Sequence, residues 1–129
     1  MREGDLCSID SGDGSYGVVK ILKLEDGIAH LRLYANSYEQ RPTEVDPASL
    51  TLGTIHDESF GLGHMPVAEE EFLATWRPEV VGHTELEPDE LEGYEIWRGA
   101  AEEGEAGVWG GVEPEPPPRR SWLSRLLGR

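Results

Sequence analysis

The stretch Gly12-Asp13-Gly14-Ser15-Tyr16-Gly17 has the GxGxxG spacing of a phosphate-cradling loop, and Val19 extends it to the spacing of a kinase glycine loop. A dinucleotide site needs a helix after the glycines, whose N-terminus holds the pyrophosphate; here Gly17 leads into a β-branched run that reads as a strand. The Asp13 carboxylate would oppose bound phosphate. The His-Arg-Asp and Asp-Phe-Gly tripeptides of a kinase do not occur. The loop therefore reads as a hairpin connection, and no cofactor is expected. His30, His56, His64 and His83 lack the close pairing of zinc ligands, and Cys7 is the sole cysteine, so no metal site is expected either. His56, followed by Asp57 and Glu58, is the nearest thing to a base with its orienter. A small hydrolase using His56 or His64 is thus the catalytic alternative to a binding protein, but no nucleophile or pocket accompanies the pair in the sequence.

The most specific feature is the C-terminal RRSWLSRLLGR. Trp122, Leu123, Leu126 and Leu127 fall on one helical face, with Arg119, Arg120, Arg125 and Arg129 around the rest. Four large apolar residues on one face predict a partner-binding element, for a protein groove in preference to peripheral contact with a membrane. A second candidate surface is Tyr16, Tyr34 and Tyr38, near the ends of the first long hairpin. Such aromatics cap a small barrel or, less often, line a cage or groove.

These residues must be positioned by a modest scaffold. The chain has 129 residues, 37% of them hydrophobic, with 16 glycines and 9 prolines, enough for one small core plus linker. A lone cysteine fits a reducing compartment. The opening MREGDLCSID carries no signal-like apolar run, and no stretch reaches the roughly 20 apolar residues of a spanning helix, so a cytoplasmic protein without an integral membrane segment is expected. The net charge is −15. Residues 1–49 carry 5 basic and 9 acidic side chains, residues 50–118 carry 2 and 17, and residues 119–129 carry 4 and none. The acidic body repels phosphate backbones and attracts a basic protein, so nucleic acid is not an expected partner.

Residues 5–10, 16–24, 27–35, 50–56 and 60–67 read as strands, with Asp26-Gly27 as a hairpin turn between the second and third. Ala29, Leu31, Leu33 and Ala35 alternate with Ile28, His30, Arg32 and Tyr34, the period of a half-buried strand. Two short helices are predicted. AEEEFLATW places Ala68, Phe72, Leu73 and Trp76 on one face and ends at Arg77-Pro78. PDELEGYEIWRG starts at Pro88, lines up Leu91, Tyr94 and Trp97, and stops at Gly99, with Gly93 as a weak point in its middle. Residues 99–118, ending in EPEPPP, read as a Gly/Glu/Pro-rich linker, with Trp109 expected to dock back on the domain.

The segment GDLCSIDSGDGSYGVVKILKLEDGIAHLRLY resembles the opening strands of SH3-like barrels, Tudor and KOW modules included. Through Gly4, Asp5, Gly17, Val18 and Val19 it is similar to immunity proteins of bacterial polymorphic toxin systems, a likeness confined to about the first 35 residues. The acidic second half and the basic tail have no counterpart in that pattern. The resemblance implies a non-catalytic module that binds and neutralises another protein. The expected architecture is mainly β: an SH3-like, partly open barrel of about five strands with two short helices over residues 1–98, a linker over 99–118 and a basic amphipathic tail over 119–129.

Overall fold

The computed structural model describes residues 1–53, 61–102 and 108. Five antiparallel strands form one sheet: β1 (Asp5–Asp10), β2 (Tyr16–Glu25), β3 (Ile28–Leu33), β4 (Leu62–Ala68) and β5 (Glu79–His83), in the order β4-β3-β2-β1-β5. The first four make a meander, and β5 returns to pair with β1. The β2–β3 turn follows directly from its sequence: Asp26 and Gly27 both take positive φ, 55° and 76°, as a two-residue type I′ turn requires. The strand after the glycine loop forms as expected, so Gly17 leads into a strand and not into a helix N-terminus. Asp13 instead accepts from the backbone N–H and the hydroxyl of Ser15, which closes the loop on itself and holds the Asp13 carboxyl below its usual range.

Alternation puts the core on both sides of the sheet. One face carries Cys7, Ile9, Val19, Ile21, Ala29, Leu31, Leu33, Met65 and Val67, closed by Phe72 and Trp76. These last two belong to a helical segment that begins as α1 (Glu69–Glu71) and continues as a wider π-helical turn (Phe72–Trp76). It ends at Arg77, whose left-handed φ of 49° precedes Pro78. Leu73, expected on the buried face, is 46% exposed because the burial is carried by Phe72 and Trp76, four residues apart. The other face carries Leu6, Val18, Val45 and Val81. Leu22 is the extra residue of a bulge between the Ile21–Leu31 and Lys23–His30 pairs, and it bends the ten-residue β2.

Two strands depart from expectation. Residues 50–53 form no strand: the Thr51 carbonyl accepts from Ala35 N–H and the Leu52 carbonyl from Gly61 N–H, Thr51 N–H goes to the Asn36 side chain, and Gly53 takes φ 64°. Residues 54–56 lie outside the described residues. The fifth strand is instead β5, which has only two valines as local signal and is set by long-range pairing with β1. The second predicted helix does form, as a 3-10 turn (Pro88–Leu91) leading into α2 (Glu92–Glu102), and it passes through Gly99 to Glu102. Its start is fixed by Pro88 at the first turn and by Glu87 N–H donating 2.9 Å to Glu90 Oε1. No helix among the described residues is long and apolar enough to cross a membrane.

Candidate functional site

β3 and β4 place His30 and His64 on the same face of the sheet, since His30 lies opposite Pro66, two residues from His64. Alternation predicts a mixed, partly wet surface there, but α2 covers it. His30 is 1% exposed. Its Nδ1 lies 2.9 Å from His64 Nε2 and the two rings stack, while Tyr94 and Trp97 of α2 meet the His30 ring edge-on at 4.7 and 4.6 Å. The helix reaches this position because Gly93 has no side chain: a Cβ there would lie 2.5 Å from His64 Cβ. The residue that weakens the helix in the sequence is the one that lets it dock.

Electrostatics follow from the burial. Desolvation pushes His30 and His64 down to about 4, with the neighbouring His64 contributing further at His30. Both rings are therefore neutral at pH 7, and one N–H donates to the bare nitrogen of the other. Beside them, the Tyr94 hydroxyl donates to Glu25 Oε2 and Arg98 donates to Glu25 Oε1, which together hold the Glu25 carboxyl below its usual range. Arg98 also donates 2.9 Å to the Tyr94 oxygen, and Lys23 Nζ sits 5.8 Å from the Tyr94 ring centre. A second tie lies under the start of the helix. Lys20, 2% exposed, donates to Glu90 Oε1 at 2.8 Å and to the Glu85 carbonyl at 2.8 Å.

Between α2 and the tip of the β2–β3 hairpin is a pocket of about 220 Å³, lined by Glu25, Asp26, Ile28, His30, Trp97, Arg98 and Ala101. Sequence reasoning reached the Tyr94–Trp97 stripe but not the pocket. His30 and His64 are 34 residues apart, and only the β3–β4 register brings them together.

The residues singled out in the sequence fall elsewhere. Tyr34 and Tyr38 pack half-buried against the Leu6–Val18–Val45–Val81 cluster. Tyr16 and Tyr38 exchange both backbone hydrogen bonds, at 2.8 and 2.9 Å. The Tyr16 ring has a cation of its own chain over it: Arg41, whose guanidinium carbon is 5.2 Å away and which also pairs with Glu79 at 2.8 Å. The three tyrosines thus brace the ends of the strands. Cys7 is buried in the core, and desolvation raises its thiol to about 12, which keeps it protonated. His83 pairs with Asp5 at 2.8 Å. Trp122, Leu123, Leu126, Leu127, Arg119, Arg120 and Arg125, together with His56 and Trp109, lie outside the described residues.

No protein-family model matches the chain, and comparison with curated proteins and with solved structures finds no significant match.

Proposed function

We propose that this chain is a non-catalytic protein-binding module of the cytoplasm, built on an SH3-like, partly open barrel, that takes a basic protein as its partner. The most concrete form of this reading is an immunity-type protein that binds and neutralises that partner. The observation that carries it is the state of the reactive side chains. Lys20 is committed to Glu90, His30 to His64, Glu25 to Tyr94 and Arg98, His83 to Asp5, and the Cys7 thiol is buried. Each is used inside the fold, whereas the exposed charged side chains among the described residues are mostly carboxylates. Glu85, Glu87, Asp89, Glu92 and Glu95 are all exposed around the start of α2, and such a field steers a cationic partner and repels nucleic acid. The return of β5 onto β1 supports the SH3-like reading, because that order follows a four-strand meander with a strand that closes back on the first.

Against the hydrolase alternative, the Nε2 of His64 is engaged by His30 and its basicity is low, so His64 is a poor general base. In the binding reading the basic tail, with Trp122, Leu123, Leu126 and Leu127, is a separate docking element beyond a proline-rich spacer. The test is deletion of residues 119–129 in the full chain, followed by thermal melting and by binding to a partner isolated by affinity capture. The reading requires a saturable protein partner, a melting temperature within about 1 °C of the parent chain, and recruitment lost with the tail. Turnover of a small ester or phosphoester substrate that survives His30→Gln but not His64→Gln would replace it with the hydrolase.

A further inference from the structure

We infer that the pocket between α2 and the tip of the β2–β3 hairpin receives a single arginine or lysine side chain of the protein partner. The inference rests on the binding-module reading and names the contact through which it acts. Size comes first. At about 220 Å³ the pocket is smaller than the roughly 300–1,000 Å³ of small-molecule sites. It suits one long side chain rather than a cofactor.

The chemistry of the walls selects the charge. Ile28 and Ala101 are apolar, Trp97 and His30 supply aromatic surface, and Glu25 and Asp26 supply two carboxylates. Among the described residues the only cationic lining residue is Arg98, whose guanidinium is held by Glu25 and Tyr94. His30 is neutral, so the described lining residues carry a net charge of −1, from two carboxylates against one guanidinium. An anion would face that excess. A cation on an aliphatic stem matches it, with the stem against Ile28 and Trp97 and the charged head toward the carboxylates. Glu25 keeps acceptor capacity, because a carboxylate has about four lone-pair sites and its two oxygens each accept from α2. Among the described residues Asp26 has no ion-pair partner, and it is an exposed lining residue of the pocket, fixed in position by the hairpin turn. The surrounding acidic surface steers the same sign of charge toward this point.

The test uses the full chain, labelled with ¹⁵N, and two probes of equal shape: N-acetyl-arginine amide and its neutral isostere N-acetyl-citrulline amide. Arginine is expected to shift the Trp97 indole signal, assigned with Trp97→Phe, saturably at millimolar concentration, while citrulline leaves it unmoved. Asp26→Asn preserves the turn, since Asn-Gly is a favoured type I′ pair, and removes one rim charge. It should weaken arginine binding roughly fivefold, the value of one charge pair at ~4 Å in water. The same substitution should slow association of an isolated partner. Equal binding of citrulline, shifts confined to the Glu85–Glu95 surface, or no effect of Asp26→Asn would overturn the inference. So would a Trp97 signal that moves, with no probe present, when the four tail arginines are replaced by glutamine, because the chain's own tail would then be the occupant. A partner that binds the parent chain and Asp26→Asn alike, with arginine leaving Trp97 unmoved, removes the pocket and leaves the module standing. Arginine entering the pocket of a chain that binds no protein removes the module, and with it the partner as the source of the side chain.

Discussion

Substituting the two glycines of α2 by alanine should move stability in opposite directions. In a helix interior alanine is favoured over glycine by about 1 kcal/mol, and this gain applies at Gly93 and Gly99 alike. At Gly99 a new Cβ meets nothing within 4 Å, so Gly99→Ala should stabilise α2 by about that amount. At Gly93 the new Cβ would lie 2.5 Å from His64 Cβ. That atom is one bond from the backbone of β4 and cannot swing aside, so either the helix or the strand must move. Overpacking of this kind costs roughly 1–3 kcal/mol. The steric cost exceeds the propensity gain, and Gly93→Ala should lower stability by up to about 2 kcal/mol. The assay is urea denaturation followed by circular dichroism, with hydrogen exchange of the α2 amides to localise the effect. Equal stabilisation by both substitutions would refute the docking of α2 on His64.

Acid should weaken the same junction. The folded-state values of His30 and His64 are depressed to about 4 from 6.5, so the unfolded chain binds protons first as pH falls. Stability contributed by the pair is complete above about pH 6.5 and declines toward pH 4, with a slope of at most ~1.4 kcal/mol per pH unit for each ring. Glu25, Lys23 and Arg98 face the junction as well, so His30→Gln is the control, and chemical denaturation between pH 7 and 4 should show a flatter profile for it. Lys20→Met leaves Glu90 without its buried partner and should cost about 3–5 kcal/mol, restored only in part in the double variant with Glu90→Leu, which also loses the bond from Glu87 N–H at the helix start; double-mutant denaturation measures this. Leu31→Ala should cost roughly 2–5 kcal/mol, whereas Leu73→Ala, on an exposed side chain, should change unfolding free energy by less than about 0.5.

The parts of the fold legible in the sequence are those whose signals are local. Asp26-Gly27 specifies its turn, the alternation through β3 specifies its buried face, and Tyr94 and Trp97 specify the inner stripe of α2. β5 was not legible because two valines and a glycine carry little preference of their own, and its place is decided by β1, some seventy residues earlier. The run at 50–53 has strand-like composition but finds no ladder to join. The candidate site was hidden for a related reason. His30 sits on the face that alternation marks as mixed, and its burial requires both the register that brings His64 alongside and a glycine in the helix above.

An acidic module that takes a basic protein as its partner, as proposed above, must associate at a rate that depends on ionic strength. With an isolated partner and the full chain, stopped-flow measurements from low to physiological salt should show association slowing markedly as the screening length shortens to about 8 Å, with dissociation changing little. An association rate unchanged over that range would rule out steering by the acidic surface and leave its charge without a role in binding.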